Sequence, residues 1–258
     1  MLKNVLILLP YGNLKPLEKR YEQLNQLVEK LKSHCKKLSE ETNNHIKYKI
    51  FLLVSEQIEP KTRFNKGVVL NAGVLYFKRH IGNPAHLIIH DIDFLPDYTL
   101  FKQYLITHPS FSLLPNNTET YKKIYIDKMP AGGSIYTTTM KNYFLCNGMP
   151  NNFWGWGGED NVFHKRMIYN KIYVTYNDKG DFVSTDTQRK SDKDKMEYIE
   201  KNNLKVKNIW ALMKKDKTDW KKNGIVQSDK FFKIVEDNVK KIYDNLSIIH
   251  IKLNIKHD

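Results

Sequence analysis

Apolar positions along this chain follow two periods, one near four residues and one of two. Val5-Leu6-Ile7-Leu8-Leu9 is a short apolar run that reads as a first strand. It is too short to cross a bilayer, and no small-residue cleavage site follows it. Leu14, Leu17, Tyr21, Leu24, Val28, Leu31, Cys35 and Leu38 then recur at spacings of three and four. That spacing predicts the apolar face of a helix, with Pro16 tolerated in its first turn. Ile46 to Val54 predicts a second strand, Phe64 to Lys78 a second helix and His86 to Ile92 a third strand. The alternation implies an α/β fold with a Rossmann-like, mostly parallel sheet flanked by helices. Near the end Ile249, Ile251, Leu253 and Ile255 alternate with His250, Lys252, Asn254 and Lys256, the period of a half-buried strand at a sheet edge or over the core. The stretch from Ser184 to Lys195 is charged and reads as a flexible loop. With 258 residues, 41% of them hydrophobic, the chain is of a size for one domain with a substantial core.

Two segments carry candidate chemistry. The third strand runs into Asp91-Ile92-Asp93 and closes at Pro96, so two carboxylates leave its carboxyl end, where open α/β sheets bind ligands. Paired oxygen donors there suit Mn²⁺ or Mg²⁺ bridging a diphosphate; alone, the pair equally fits a solvated turn. The second segment, Asn151-Asn152-Phe153-Trp154-Gly155-Trp156-Gly157-Gly158-Glu159-Asp160, packs two indoles, three glycines and two adjacent carboxylates into ten residues. It reads as a mobile loop built around a ligand, with a carboxylate beside an aromatic platform to take a proton from a sugar; the other reading is a tight turn whose tryptophans fill the core.

Both segments, in this order, resemble those of the β-1,4-galactosyltransferase family, inverting enzymes of the glycosyltransferase A fold. The resemblance runs from Val5 to about Ile255. Val5 to Asn13 resembles the family's first strand and nucleotide turn, and Phe64 to Gly73 its Phe-Asn-Arg-Ala…Leu-Asn-x-Gly segment. Asp91-Ile92-Asp93 stands at the Asp-Val-Asp position. Gly132-Gly133 followed by Asn147 to Asp160 reproduces the long Gly-Gly…Asn-Gly-Phe-Pro-Asn-Asn-Tyr-Trp-Gly-Trp-Gly-Gly-Glu-Asp block. The resemblance implies transfer of a hexose from a UDP-sugar to a glycan hydroxyl, on a glycan, glycoprotein or glycolipid. Residues 1–95 would form the nucleotide-binding half and residues 96–258 the acceptor half with mobile loops. Asp160 matches the catalytic base. Glu159 would orient the acceptor or support the loop, with Phe153, Gly157, Gly158 and Asn161 on the acceptor side. Pro10, Tyr11, Asn13, Phe64, Lys66, Asp91, Asp93 and Gly133 match donor-binding positions. Trp156 would swing over the donor and exclude water. Asp93 matches a metal ligand, with Mn²⁺ expected and Mg²⁺ the alternative.

The chain departs from the family pattern at several points. Gly12 and Leu14 stand where relatives have two arginines, with Lys15 and Lys66 able to supply replacement charge. No histidine occurs between His164 and His250, where the family places a metal-ligating one; Asp186 is the substitute expected. Asn161 stands where relatives often have Asp. Met129-Pro130-Ala131 replaces the aromatic text that helps favour galactose, so UDP-galactose leads as donor and UDP-N-acetylhexosamine follows.

Composition adds a net charge of +14. Its lysines are dispersed, with no nucleic-acid motif, so no nucleic-acid partner is expected. They read as solvated faces, or as a field attracting an anionic donor, acceptor or membrane surface. A basic nucleic-acid or membrane-surface protein rests on charge alone, and the departures keep a catalytically degenerate UDP-sugar or glycan-binding module as the alternative to an active transferase. Cys35 and Cys146 lack partners at metal spacing and are expected reduced and structural. His86 and His90 lie on strand text without the glutamate of a zinc helix. Trp210 and Trp220, in lysine-rich text, are expected to pack amphipathically. With no leader or anchor in the sequence and a Lys-, Asn- and Ile-rich composition, cytoplasmic action and a bacterial or viral origin are expected.

Overall fold

The structure is a computed structural model that describes residues 2–12, 19–42, 47–58, 63–106, 110–113, 135–172, 174–176, 179–185, 197, 199–201, 203 and 205–256, with the side chains of 110–113 and 175–176 excepted. The strands are β1 (Lys3–Gly12), β2 (Tyr48–Gln57), β3 (His86–His90), β4 (Phe94–Pro96), β5 (Ser110–Leu113), β6 (Ile135–Thr138), β7 (Thr175–Tyr176), β8 (Phe182–Ser184), β9 (Phe232–Tyr243) and β10 (Leu246–Ile255). The helices are α1 (Arg20–Glu41), α2 (Lys66–His80), α3 (Tyr98–Gln103), α4 (Met140–Leu145), α5 (Glu159–Tyr169) and α6 (Ile209–Asp219). An eight-stranded sheet runs in the order β7, β5, β6, β3, β1, β2, β10, β9. Its centre, β3, β1, β2 and β10, is parallel, and β6 and β9 flank it antiparallel. This is the mostly parallel α/β architecture expected, and both halves of the chain contribute strands to one sheet.

α2 explains how the sheet is covered. From Lys66 to Phe77 every residue is buried, so this helix is walled in on all sides. Its Asn65 cap accepts from the Val68 N–H at 3.0 Å. A Cβ on Gly73 would stand 2.4 Å from Leu8 Cδ1, so a larger residue there would make the Leu8 side chain shift where the helix packs on β1 and β2. α1 covers the opposite face with Leu24, Leu27, Leu31 and Cys35, which join Val5, Ile7, Leu9 and Leu52 in the second core. Tyr21 does not share that face: it stands in the first turn of the helix, which begins at Arg20, and is 60% exposed. Positions 14 to 18 lie outside the described residues.

β10 corrects one expectation. Its Ile249, Ile251, Leu253 and Ile255 are buried as the alternation predicted, yet the strand sits inside the sheet between β2 and β9. The edge belongs to β9, whose side chains are exposed on both faces for most of its length, leaving no alternation to read. Trp210 also differs. The inner face of α6 is built from Met213 and Asp216 with Ile209 and Leu212 half-buried, and Trp210 falls outside it at 69% exposure. Cys35 and Cys146 are buried free thiols, and burial pushes both up to about 12.

Candidate active site

The site is built where β3 ends. All five residues of β3 are buried, so the chain first meets solvent at Asp91 and Asp93. β4 follows and pairs antiparallel with β8, and Thr185 donates from its N–H to the Asp93 carbonyl at 2.8 Å. The segment that was expected to carry a further metal ligand is thereby tied to the acidic turn as far as Thr185. Asp186 itself lies outside the described residues, as do Asn13, Gly133, Lys15 and Met129-Pro130-Ala131.

Opposite this turn stands the tryptophan segment. Its last glycine, Gly158, takes φ +93° and precedes α5, where a Cβ would stand 2.8 Å from Ile209. α5 therefore opens with Glu159 and Asp160 in its first turn, where the positive end of the helix dipole favours carboxylates. Gly155 N–H donates to the Phe64 carbonyl at 2.8 Å, fixing the loop to the entrance of α2. The two indoles part company. Trp154 packs against the main core, as the core-filling reading had it, whereas Trp156 is 43% exposed. Phe153 is buried with Val162, Val206 and Met213 and supports the loop from beneath.

Lys66 joins the two halves. Its ammonium lies 2.9 Å from Asp91 Oδ1, 3.0 Å from Asp160 Oδ2 and 3.9 Å from Glu159 Oε1. Burial opposes its charge, but the three carboxylates outweigh burial and hold the lysine well above its usual range. Burial pushes Asp160 up to about 8; Lys66 pulls it down while Glu159 and Asp91 push it further up. Burial likewise raises Glu159, against Lys66, and its Oε2 is buried with no hydrogen-bond partner among the described residues. A carboxylate raised towards neutrality, beside one with a free acceptor oxygen, can take a proton from a hydroxyl while its neighbour orients the molecule that carries it.

The other donor-side positions are placed less openly. Pro10 and Tyr11 are buried at the end of β1, with burial raising the Tyr11 phenol to about 12. Phe64 is half-buried against the main core. Gly157 has φ +107°, and Asn161 is half-buried on α5. His90 is buried on β3, where burial lowers it to about 4 and its Nδ1 bonds the Asp91 carbonyl at 2.8 Å. It is a packing residue, as its strand context predicted.

A polar framework under the loop was not read from the sequence. Asn71 Nδ2 donates to Met149 O at 2.8 Å and to Asn151 Oδ1 at 2.9 Å, while its Oδ1 accepts from the Tyr143 hydroxyl at 2.7 Å. Asn151 Nδ2 donates to Gly224 O at 2.7 Å, and Ser228 Oγ donates to Asn151 Oδ1 at 2.8 Å. Arg166, fully buried, pairs with Asp216 and donates to the carbonyls of Gly148 at 2.8 Å and Asn223 at 2.7 Å. A Cβ on Gly67 would stand 1.9 Å from the Pro150 carbonyl, so glycine there lets this turn cross α2. The signal available in sequence was Asn71 inside the apolar run Val68 to Leu75, a buried amide that demands partners.

Comparison with known proteins now bears on the site. A family profile described as the N-terminal domain of galactosyltransferase matches residues 117–188, the stretch that contains the tryptophan loop and both carboxylates of α5. Human β-1,4-galactosyltransferase 4 is 28% identical over 176 residues, covering 67% of this chain and 45% of the human protein. The Caenorhabditis elegans xylosylprotein 4-beta-galactosyltransferase is 28% identical over 218 residues, covering 80% of this chain and 71% of the worm protein. Over much of its length the chain is similar to β-1,4-galactosyltransferases. The fold agrees: a mutant of Drosophila β-1,4-galactosyltransferase 7, solved with manganese, UDP-Gal and xylobiose, superposes with a TM-score of 0.65 at 22% identity over 98% of this chain and 95% of that one. The chain spans less than half the length of the human β-1,4-galactosyltransferase it matches.

These galactosyltransferase relatives are animal proteins, which overturns the expectation of cytoplasmic action and of a bacterial or viral origin. Lysine, asparagine and isoleucine content reflects surface and core composition and carries no information about compartment. Among the described residues no helix is long and apolar enough to cross a membrane.

Hard oxygen donors of the kind Mn²⁺ takes are present in the acidic turn, and Asp93 supplies one. Among the described residues no group of three His, Cys, Asp or Glu side chains gathers to complete a cage. The carboxylates of the turn are the kind of donor that would suit such a cation.

Proposed function

We propose that this protein transfers a hexose, galactose first among them, from a UDP-sugar to a hydroxyl of a glycan acceptor, with inversion and with Asp160 as the general base. The observation that carries this reading is the Lys66 cluster. It brings the base position of α5 and the donor position after β3 within reach of one ammonium. A carboxylate raised to about 8 is a stronger base than an ordinary one, and the acceptor hydroxyl must lose its proton as C1 is attacked. The unpartnered Oε2 of Glu159 accepts from a second acceptor hydroxyl and sets the angle of approach. Asp91 binds the donor sugar, and Lys66 keeps the neighbouring carboxylates from repelling one another and holds Asp160 in line. Trp156, exposed on its glycine-flanked loop, closes over the donor and keeps water from competing with the acceptor. Asp93, with Asp186, would hold Mn²⁺, with Mg²⁺ as the weaker choice; bound there, the cation neutralises the leaving diphosphate.

The acceptor class is read from the relatives: a xylosylprotein enzyme and a xylobiose complex favour β-linked xylose over N-acetylglucosamine or glucose. The test is UDP release by the purified chain across a panel of UDP-sugars, with Mn²⁺ and with chelator, in the presence of each of these acceptors. Chelator-sensitive, acceptor-stimulated release from UDP-galactose supports the proposal. Calorimetric UDP binding without release from any donor would replace it with a binding module.

A further inference from the structure

β9 is the outer strand of the sheet among the described residues, and an uncovered edge presents N–H and C=O groups that a further strand can take up. Between irregularities at Leu246/Ser247 and Lys252/Leu253, Glu236 to Lys241 runs in regular antiparallel register against Lys252 to Ser247. Asp237, Val239 and Lys241 therefore lie on one face of this stretch. Read in the opposite direction the set is Lys, Val, Asp. A two-fold axis perpendicular to the sheet at Val239 would set Asp237 of each copy against Lys241 of the other, and Val239 against itself. Such reciprocity, residue i meeting j while j meets i, is what an isologous interface requires.

Charge and exposure agree with this arrangement. Val239 is 55% exposed, an apolar side chain with water on its outer side. From Phe232 to Asp244 the lysines at 233, 240 and 241 are balanced by Glu236, Asp237 and Asp244, so this edge is neutral on a chain of net charge +14. Two copies meeting here set no like charges directly opposite one another; the two Lys240 side chains are diagonal neighbours on the other face, where Glu236 of the facing strand is also diagonal to each. The Tyr76 hydroxyl donates to Asp237 Oδ2 at 2.7 Å, which steadies that carboxylate and leaves its other oxygen for Lys241 of the second copy. Lys241 pairs with Asp244 at 2.7 Å in an exposed pair of the kind that exchanges readily. Glu236 is already engaged by Lys252 from β10 at 2.8 Å and is not needed for the pairing.

We propose that β9 pairs antiparallel with β9 of a second copy of this chain, continuing the sheet across a two-fold axis at Val239. Facing residues of paired strands have Cβ atoms roughly 4.5–5.5 Å apart, close enough for a disulfide to form with small adjustment. Val239→Cys in the full chain is therefore expected to form a disulfide-linked dimer under mild oxidation. The only two native thiols are buried and leave the new one alone at the surface. Val226→Cys, at a 70% exposed position away from β9, is the control for random collision. In sedimentation velocity the unmodified chain is expected to dimerise with rising concentration. Lys241→Glu should weaken this about tenfold or more, since it turns both cross-copy pairs repulsive. Asp237→Lys combined with Lys241→Glu should restore it, with circular dichroism unchanged throughout. Cross-linking of Val239→Cys no faster than Val226→Cys, or Lys241→Glu associating like the unmodified chain, would overturn the proposal.

Discussion

Replacing Lys66 by Met keeps an unbranched side chain as far as its fourth atom and removes the ammonium from between Asp91 and Asp160. Its Nζ stands 3.0 Å from Asp160 Oδ2. At an effective dielectric of about 20, one such pair amounts to about 5 kcal/mol. The Asp160 side chain is 27% exposed, and screening by the water it meets reduces this to about 2–3 kcal/mol. At 1.36 kcal/mol for each pK unit, Asp160 would rise by about two units without the lysine. Burial already lifts it to about 8 with Lys66 in place. A base works only when ionised, so below its pKa the rate falls tenfold per pH unit, and at neutral pH Lys66→Met should lose about 100-fold in kcat. The assay is UDP release as a function of pH from about 6 to 10, with kcat and the donor KM separated. The acid limb should move to higher pH and activity should partly return in alkali. An acid limb that stays where the unmodified protein has it would refute the electrostatic role, leaving Lys66 as a donor contact visible only in KM.

Asp160→Asn should lower transfer by about 10²–10⁴-fold while UDP binding by calorimetry stays within twofold, the signature of a lost base rather than a lost site. Arg166→Met leaves Asp216 buried without its partner and the Gly148 and Asn223 carbonyls without their donor, so unfolding in urea should show a loss of about 3–5 kcal/mol. Trp156→Ala, at a 43% exposed position, should leave stability within about 0.5 kcal/mol and raise donor hydrolysis relative to transfer, read as free sugar against product. The ligand-free protein should lose stability as pH rises from the ordinary carboxylate range through about 8: the folded state holds a proton on Asp160 that the unfolded chain has already released. Thermal melts that rise across that interval would contradict this.

How much was legible in advance divides along physical lines. β1, α2 and β3 announced themselves as continuous apolar runs and β10 by its alternation, and such local patterns are what a sequence displays. β9 was silent because most of its side chains meet water, so nothing alternates. The inner position of β10 was also hidden, since its parallel pairing with β2 joins residues nearly two hundred apart. In the site, Asp91, Glu159 and Asp160 were singled out by motif and lie around one ammonium. Lys66, however, was read as a donor-binding residue supplying replacement charge, and its pairing with carboxylates of α5 and the β3 turn depends on folding across 94 residues. The Asn71, Asn151 and Arg166 framework escaped for the same reason: an amide or guanidinium shows in sequence that it needs partners, but not which ones.

The placement of the last strand also governs when the site can exist at all. Asn151, which steadies the turn leading to Asp160, is held by Gly224 and Ser228, and these lead into the β9 and β10 hairpin that docks on β2. A chain emerging from the ribosome presents Asp160, Lys66 and the acidic turn long before the residues that hold them in register. Until the final strand arrives, β2 remains an open edge and the tryptophan loop lacks its floor. Loss of a short piece from the carboxyl end, though it contains none of the residues of the Lys66 cluster, would disorder that cluster and expose an aggregation-prone edge at once.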